Sequence, residues 1–155
     1  MKLIPAITGL SHANPGAKLL PRPQSHRMSI SSDTAIDYDG LMQANLVRVF
    51  GERDAGRRLE AIRELYAEDA VLNEPHATAT GHIAIRDAVT ALLASLPSDF
   101  VFTAIGPAIG HHGIGRLQWR SGPAGGPAVV TGMDIAHFVG GRIHSLTVFL
   151  DPPAA

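Results

Sequence analysis

The apolar residues of this chain change their period at Pro97. Before it they recur every three or four residues, the spacing of one helix face. After it, short runs of branched and aromatic residues are broken by Gly, Pro and Ser, the pattern of strands and turns. Helices first and a meander of strands afterwards leave no place for repeated strand–helix–strand units. The pattern therefore predicts an α+β domain, with three N-terminal helices packed on a curved antiparallel sheet.

The first helix is expected from Tyr38 to Arg53, with Met42, Leu46, Val49 and Phe50 on one face. Gly51 and Asp54-Ala55-Gly56 mark its end and a turn. A second helix buries Leu59, Ile62, Leu65 and Tyr66. Asp69–Glu74 reads as a short strand closed by Pro75. Thr80-Gly81 opens a third helix with the stripe Ile85, Val89, Leu92, Leu93 and Leu96, stopped by Pro97.

Strands are expected at Phe100–Ile109, Gly113–Arg120, Ala128–Val139 and Arg142–Leu150. Gly140-Gly141 makes a two-residue hairpin turn, since both positions tolerate positive φ. That turn predicts a register in which Val139 faces Arg142, His137 faces His144 and Asp134 faces Thr147. One face then carries Val130, Gly132, Asp134, Ala136 and Phe138 beside Ile143, Ser145, Thr147 and Phe149. The other carries Met133, Ile135, His137, His144, Leu146, Val148 and Leu150. Both are apolar. Helices cover one, and a second copy is expected on the other, giving a homodimer through Met133, Ile135, Leu146 and Val148.

Composition narrows the function. The 155 residues suit one domain of ordinary size, and 45% hydrophobic residues suit a packed core. Thirteen basic and 14 acidic residues give a net charge of −1, which supplies no footprint for nucleic acid or an anionic membrane. No apolar run approaches a membrane span. With no cysteine, disulfides and thiolate metal sites are excluded, and a reducing, cytoplasmic setting fits. The eight histidines show no spacing of metal ligands, and no nucleotide-binding glycine loop or nucleophile elbow is present, so neither metal nor cofactor is expected. Residues 1–36 hold Pro5, Pro15, Pro21 and Pro23 with several serines and no acid before Asp33. They read as a disordered leader, or as an artefact of a start at Met28; residues 37–151 form the domain and 152–155 a tail.

Chemistry is sought among polar residues in apolar places. Asp134 lies mid-strand among small and apolar side chains, where ionisation is costly. It is either a neutral acid that donates a hydrogen bond or a carboxyl satisfied by Thr147 or Ser145. Glu74, at the strand end in Asn73-Glu74-Pro75-His76, is either a base at a pocket mouth or a solvated charge. His76 can serve as a base, a ligand contact or a loop residue. Asn45, on the buried side of the first helix, can point a donor inward or cap backbone. Tyr66 and Trp119 line a ligand site or fill the core.

Leu65-Tyr66-Ala67-Glu68-Asp69-Ala70-Val71, Glu74-Pro75 and Gly81-His82-Ile83-Ala84-Ile85-Arg86 resemble the nuclear transport factor 2-like superfamily. Gly132-Met133-Asp134-Ile135-Ala136-His137-Phe138 followed by Gly141-Arg142-Ile143 resembles its SnoaL-like and ketosteroid isomerase-like branches. The resemblance spans Tyr38 to Asp151 and implies an α+β roll around a cone-shaped pocket. It implies that Glu74 stands at the family's general base and Asp134 at its neutral oxyanion donor, the split carboxyl pair of ketosteroid isomerase. The family's oxyanion tyrosine falls near Asn45, and Tyr66 matches the tyrosine that supports it.

On that basis the chain is expected to be a cofactor-free isomerase or cyclase, moving a proton alpha to the carbonyl of an apolar cyclic or polyketide-like ketone. Glu74 and Asp134 are its catalytic pair; Asn45, Tyr66, His76, Trp119, Phe138 and Phe149 contact the substrate. The rival is a non-catalytic ligand-binding domain of the same fold. Two further readings are hydratase chemistry using Arg120 and Asp151, and a protein-interaction scaffold.

Overall fold

The computed structural model describes residues 36–153. The leader and the last two residues, with the expectations placed on them, lie outside that range.

Helix α1 (Tyr38–Asn45) starts where the Asp37 carboxylate accepts from Gly40 N–H, satisfying an orphan donor of the first turn. It then widens into a π-helical turn, Leu46–Phe50, closed by Gly51 N–H donating to Leu46 O at 2.8 Å. The expected single helix to Arg53 is thus an α-helix plus a π turn. The wider turn keeps Leu46, Val49 and Phe50 all buried. Asp54 belongs to the next helix: it caps α2 (Ala55–Leu65) by accepting from Arg57 N–H. Helix α3 (His82–Ser95) follows Gly81, whose φ of 88° only glycine adopts without strain.

The strands are β1 (Tyr66–Glu74), β2 (Ala77–Thr80), β3 (Phe100–Ala104), β4 (Ile109–His111), β5 (Ile114–Pro123), β6 (Val130–Val139) and β7 (Arg142–Leu150). They form one seven-stranded sheet in the order β2-β1-β7-β6-β5-β3, with β4 also pairing β5. The helices pack on it, so the α+β class holds. Four details differ from expectation. Strand β1 begins at Tyr66 and pairs with β7 in parallel, so the sheet is mixed. Strand β2 is a short return of small residues, Ala-Thr-Ala-Thr, that carries no apolar signal. The expected strand Phe100–Ile109 is split by Gly106, at φ 73°, into β3 and the approach to β4. Strand β5 extends past Arg120 to Pro123.

The hairpin register holds at Val139↔Arg142 and then slips. Phe138 pairs with Ile143, but His137 pairs with Ser145, leaving His144 as the extra residue of a β-bulge. Asp134 therefore faces Val148, not Thr147. Because side chains alternate, one extra residue exchanges the faces of the rest of β7. Leu146 is buried and Val148 packs on the core, while Ser145, Thr147 and Phe149 turn outward. Leu146 and Val148 thus cannot belong to an outer contact face.

Two buried devices hold the helices. Arg58, 1% exposed, donates twice to Glu52 O and once to Thr90 Oγ1, tying the α2 entry to α3. The glycine-rich run Gly110–Gly115 seats α1: Tyr38 packs where side chains at Gly110 and Gly115 would stand, and its hydroxyl accepts from Gly113 N–H at 2.8 Å. Replacing Arg58 by Ala leaves a cavity and an unpaired carbonyl, and should cost about 3 kcal/mol in urea denaturation. Arg57→Ala, at an exposed ion pair, should change stability by under ~1 kcal/mol. Equal losses in the two variants would contradict this account of Arg58.

Candidate active site

A cavity of about 260 Å³ opens between the helices and the sheet. Leu46 and Phe50 of the π turn line it from one side, with Leu92 and Leu96 from the end of α3. Phe102 and Trp119 form an aromatic wall, their rings edge to face at 5.6 Å. Val130, Asp134, Val148 and Leu150 come from β6 and β7. The β1–β2 turn supplies Glu74, Pro75 and His76; Glu74 pairs with Ala77, so Pro75-His76 is the hairpin tip.

Asp134 is 2% exposed, and its Oδ1 accepts from Trp119 Nε1–H at 2.8 Å. This partner replaces the expected Thr147 or Ser145, which the bulge turns away. Burial pushes the carboxyl up from 3.8 to about 7, opposed in part by the indole hydrogen bond. Gly132 permits the contact: any Cβ there would meet the Trp119 ring at 2.5 Å. Burial also raises the half-buried Glu74 carboxyl above its ordinary value of 4.5.

Four of the expected residues, Glu74, His76, Trp119 and Asp134, line this one cavity. Four do not. Tyr66 is fully buried and donates from its hydroxyl to Asn45 Oδ1 at 2.6 Å, beside the cavity rather than in it. Burial, then the charge of nearby Asp134, holds the Tyr66 hydroxyl well above its usual range, so it stays a donor. Asn45 is displaced from the lining because Leu46 and Phe50 take that place. Phe138 packs edge-on against Tyr38 at 5.5 Å. Phe149, 56% exposed, faces a neighbouring groove that shares Glu74 and His76. Arg120 and Asp151 do not line the cavity; Asp151 lies in that same groove and accepts from Thr131 Oγ1. Among the described residues no cluster of three or more His, Asp and Glu could hold a metal ion. No helix there is long and apolar enough to cross a membrane.

Ser121 lines the cavity unannounced. A strand ending at Arg120 excluded it, although the inward alternation Leu117, Trp119 continues to it.

The sequence profile of the SnoaL-like domain matches residues 45–146. The chain belongs to the SnoaL-like family. No curated protein matches it in sequence. Among solved structures, this SnoaL-like domain is similar to a candidate isomerase of the SnoaL-like family from Agrobacterium tumefaciens, at 26% identity and TM-score 0.69, over 74% of this chain and 97% of that one. A candidate polyketide cyclase from Sinorhizobium meliloti shares the fold at 17% identity and TM-score 0.55, over 70% and 93% of the two chains. A candidate ketosteroid isomerase from Kribbella flavida shares it at 18% identity and TM-score 0.56, over 76% and 83%.

The raised Asp134 carboxyl sets a pH dependence of stability. Between 3.8 and about 7 the folded protein keeps a proton that the unfolded chain releases, so stability falls as pH rises through that window. The full loss is on the order of 4 kcal/mol, and the Asp134→Asn variant, which can still accept from Trp119, escapes it. Urea denaturation should find the variant more stable than wild type at pH 8 and equal to it near pH 4. A parallel pH dependence in both proteins would show that Asp134 ionises without cost.

Proposed function

We propose that this SnoaL-like domain is an isomerase or cyclase that moves a proton alpha to the carbonyl of an apolar cyclic or polyketide-like ketone. The reading rests on one observation: Glu74 and Asp134, in unlike environments, line the same apolar cavity. Below about pH 7 Asp134 is largely protonated, while Glu74, half-buried at the turn, ionises more readily. Glu74 takes the alpha proton. The carbonyl oxygen gains charge and accepts a hydrogen bond from neutral Asp134, a donor in a water-poor site. Where the ketone carries a β,γ double bond the product of proton removal is a dienolate, which collects the proton at the gamma carbon as the double bond moves into conjugation; that is isomerisation. In a cyclase the enolate carbon attacks a second carbonyl of the same molecule; a C–C bond forms and the attacked oxygen takes the proton. In this reading His76, at the hairpin tip and lining the same cavity, orients Glu74 or relays its proton.

One observation favours a second reading, a ligand-binding domain without turnover. Asn45 Oδ1 is occupied by Tyr66 and neither residue lines the cavity, so the second oxyanion donor expected from the resemblance is not presented there.

Deuterium exchange at the alpha carbon of apolar cyclic ketones in heavy water separates the two. Wild type should exchange at least one ketone, and Glu74→Gln should lower the rate by ~100-fold or more. The wild-type rate should rise as Glu74 ionises and fall above about pH 7 as Asp134 loses its proton. Ligand binding without exchange in either protein would establish the second reading.

The same proposal extends to assembly: the outer sheet face bearing Met133, Ile135 and Phe149 pairs two copies of the chain. Phe149, which pairs with Met133 across the sheet, is 56% exposed. Light scattering should report a dimer at micromolar concentration and a monomer for Ile135→Glu; a monomeric wild type would refute the assembly.

A further inference from the structure

The last strand has an open edge where the cavity meets the outside. Asp151 N–H donates to Thr131 O at 2.9 Å, which sets the alternation of the β6–β7 ladder. Thr147 and Phe149 turn their backbone groups to β6 as Asp151 does, and Val148 and Leu150 turn theirs the other way, toward β1. There β1 pairs with β7 only as far as Asn73↔Thr147. Glu74 pairs with Ala77 as the chain turns away, and Pro75, the next residue, has no N–H to give to Val148 O. Three polar groups are left without a strand partner among the described residues: Val148 C=O, Leu150 N–H and Leu150 C=O.

A strand edge facing bulk water is simply hydrated. This one borders space of ligand size. Val148 and Leu150 line the cavity and also a groove of about 910 Å³ outside it, and Glu74, Pro75 and His76 line both as well. The cavity and the groove therefore meet at the gap between β7 and the β1–β2 turn. Leu150 is 49% exposed there. Val148 stands opposite Asp134, and Leu150 lies two residues farther along β7, roughly 7 Å at ~3.3 Å per residue. A six-membered ring spans that distance, so a ligand whose carbonyl reaches Asp134 carries its far substituent past these backbone groups.

The edge dictates what that substituent is. Along one side of a strand, a C=O and the N–H two residues on are complementary to the N–H and C=O of a single amino-acyl unit, NH–CHR–CO. We infer that the gap binds such a unit: its N–H donates to Val148 O and its C=O accepts from Leu150 N–H. The substrate is then a cyclic ketone bearing an amino-acyl arm, with the ring in the cavity and the arm laid along β7 as a one-residue strand. This rests on the cavity being the ligand site, as in the proposed function, but not on Glu74 acting as a base.

The chain has a single tryptophan, and Trp119 lines the cavity, so its fluorescence reports occupancy with or without turnover. The probes are 4-oxocyclohexanecarbonyl-glycine methylamide and its ester analogue, in which oxygen replaces the glycine N–H. Wild type should bind the amide about fivefold more tightly than the ester, the worth of one hydrogen bond. Leu150→Ala loses the side chain and keeps the N–H. Leu150→Pro also removes the N–H, which no ladder bond uses, and should weaken both probes about fivefold beyond Leu150→Ala. If Leu150→Pro does not fold, the amide-to-ester ratio of wild type decides alone. Glu74→Gln should keep that ratio even if alpha-proton exchange is abolished, which separates failure of the base from failure of the arm site. Equal affinities for amide and ester in wild type, no binding of either, or a folded Leu150→Pro that binds as well as Leu150→Ala would each overturn the inference. Equally tight binding of acetylglycine methylamide, which lacks the ring, would overturn it too, by assigning the edge to a polypeptide strand.

Discussion

One surplus residue in β7, His144, decides which side of the sheet is the inside. The alternation from Ile143 would otherwise send Ser145, Thr147 and Phe149 under the helices and Leu146 and Val148 to the outer face. With His144 unpaired, Ile143 and Leu146 are both buried, and Val148 and Leu150 reach the cavity. Leu146 and Val148 replace Ser145 and Thr147 on the inner face, a gain of up to ~2 kcal/mol per buried side chain, while Leu150 takes the inner place of Phe149. The same shift brings Val148, not Thr147, opposite Asp134. The carboxyl is thereby left without a hydroxyl partner on β7, and Trp119 is what it finds.

That contact ties packing to chemistry. Trp119 can reach Asp134 only because Gly132 has no side chain, and its ring simultaneously completes the wall begun by Phe50 and Phe102. The indole donates one hydrogen bond, enough to satisfy one carboxyl oxygen but not enough to offset burial. The carboxyl consequently titrates near neutrality. Tyr66 and Asn45 satisfy one another close by, so these two buried pairs stand separately instead of forming one network.

The long β1 carries its own irregularity. Its register with β7 shifts between Tyr66 and Val71, and the His82 ring nitrogen lies 3.0 Å from Tyr66 O and 2.9 Å from Ala67 O, donating where the strand ladder is interrupted. Beyond that point β1 runs regularly to Glu74, and the tight Pro75-His76 turn holds this carboxylate at the cavity edge. The β1–β2 turn is thus positioned by a parallel pairing with the last strand of the meander, far away in sequence.

Periodicity alone determined the class of the fold. The stripes Met42-Leu46-Val49 and Ile85-Val89-Leu93 can be buried only as helices, and the Gly140-Gly141 turn admits only a hairpin. Asp134 was legible as an unusual residue because it is a carboxyl among apolar neighbours, and Glu74 only as one carboxyl at a strand end; it was the family resemblance that joined the two as a pair. Tertiary structure decided the rest. A bulge needs no special residue at His144, so nothing local announced the exchange of faces; only competition between whole faces for the core selects it. Asn45 and Tyr66 lie on buried faces, as their spacing suggested, but the π turn gave the cavity wall to Leu46 and Phe50. Ser121 is polar, ordinary and near a glycine-rich loop, and only the continued pairing of β5 with β3 and β6 brings it to the cavity wall. Local sequence fixes the period of a segment, whereas the partner a buried polar atom finds depends on strands that meet only when the sheet closes.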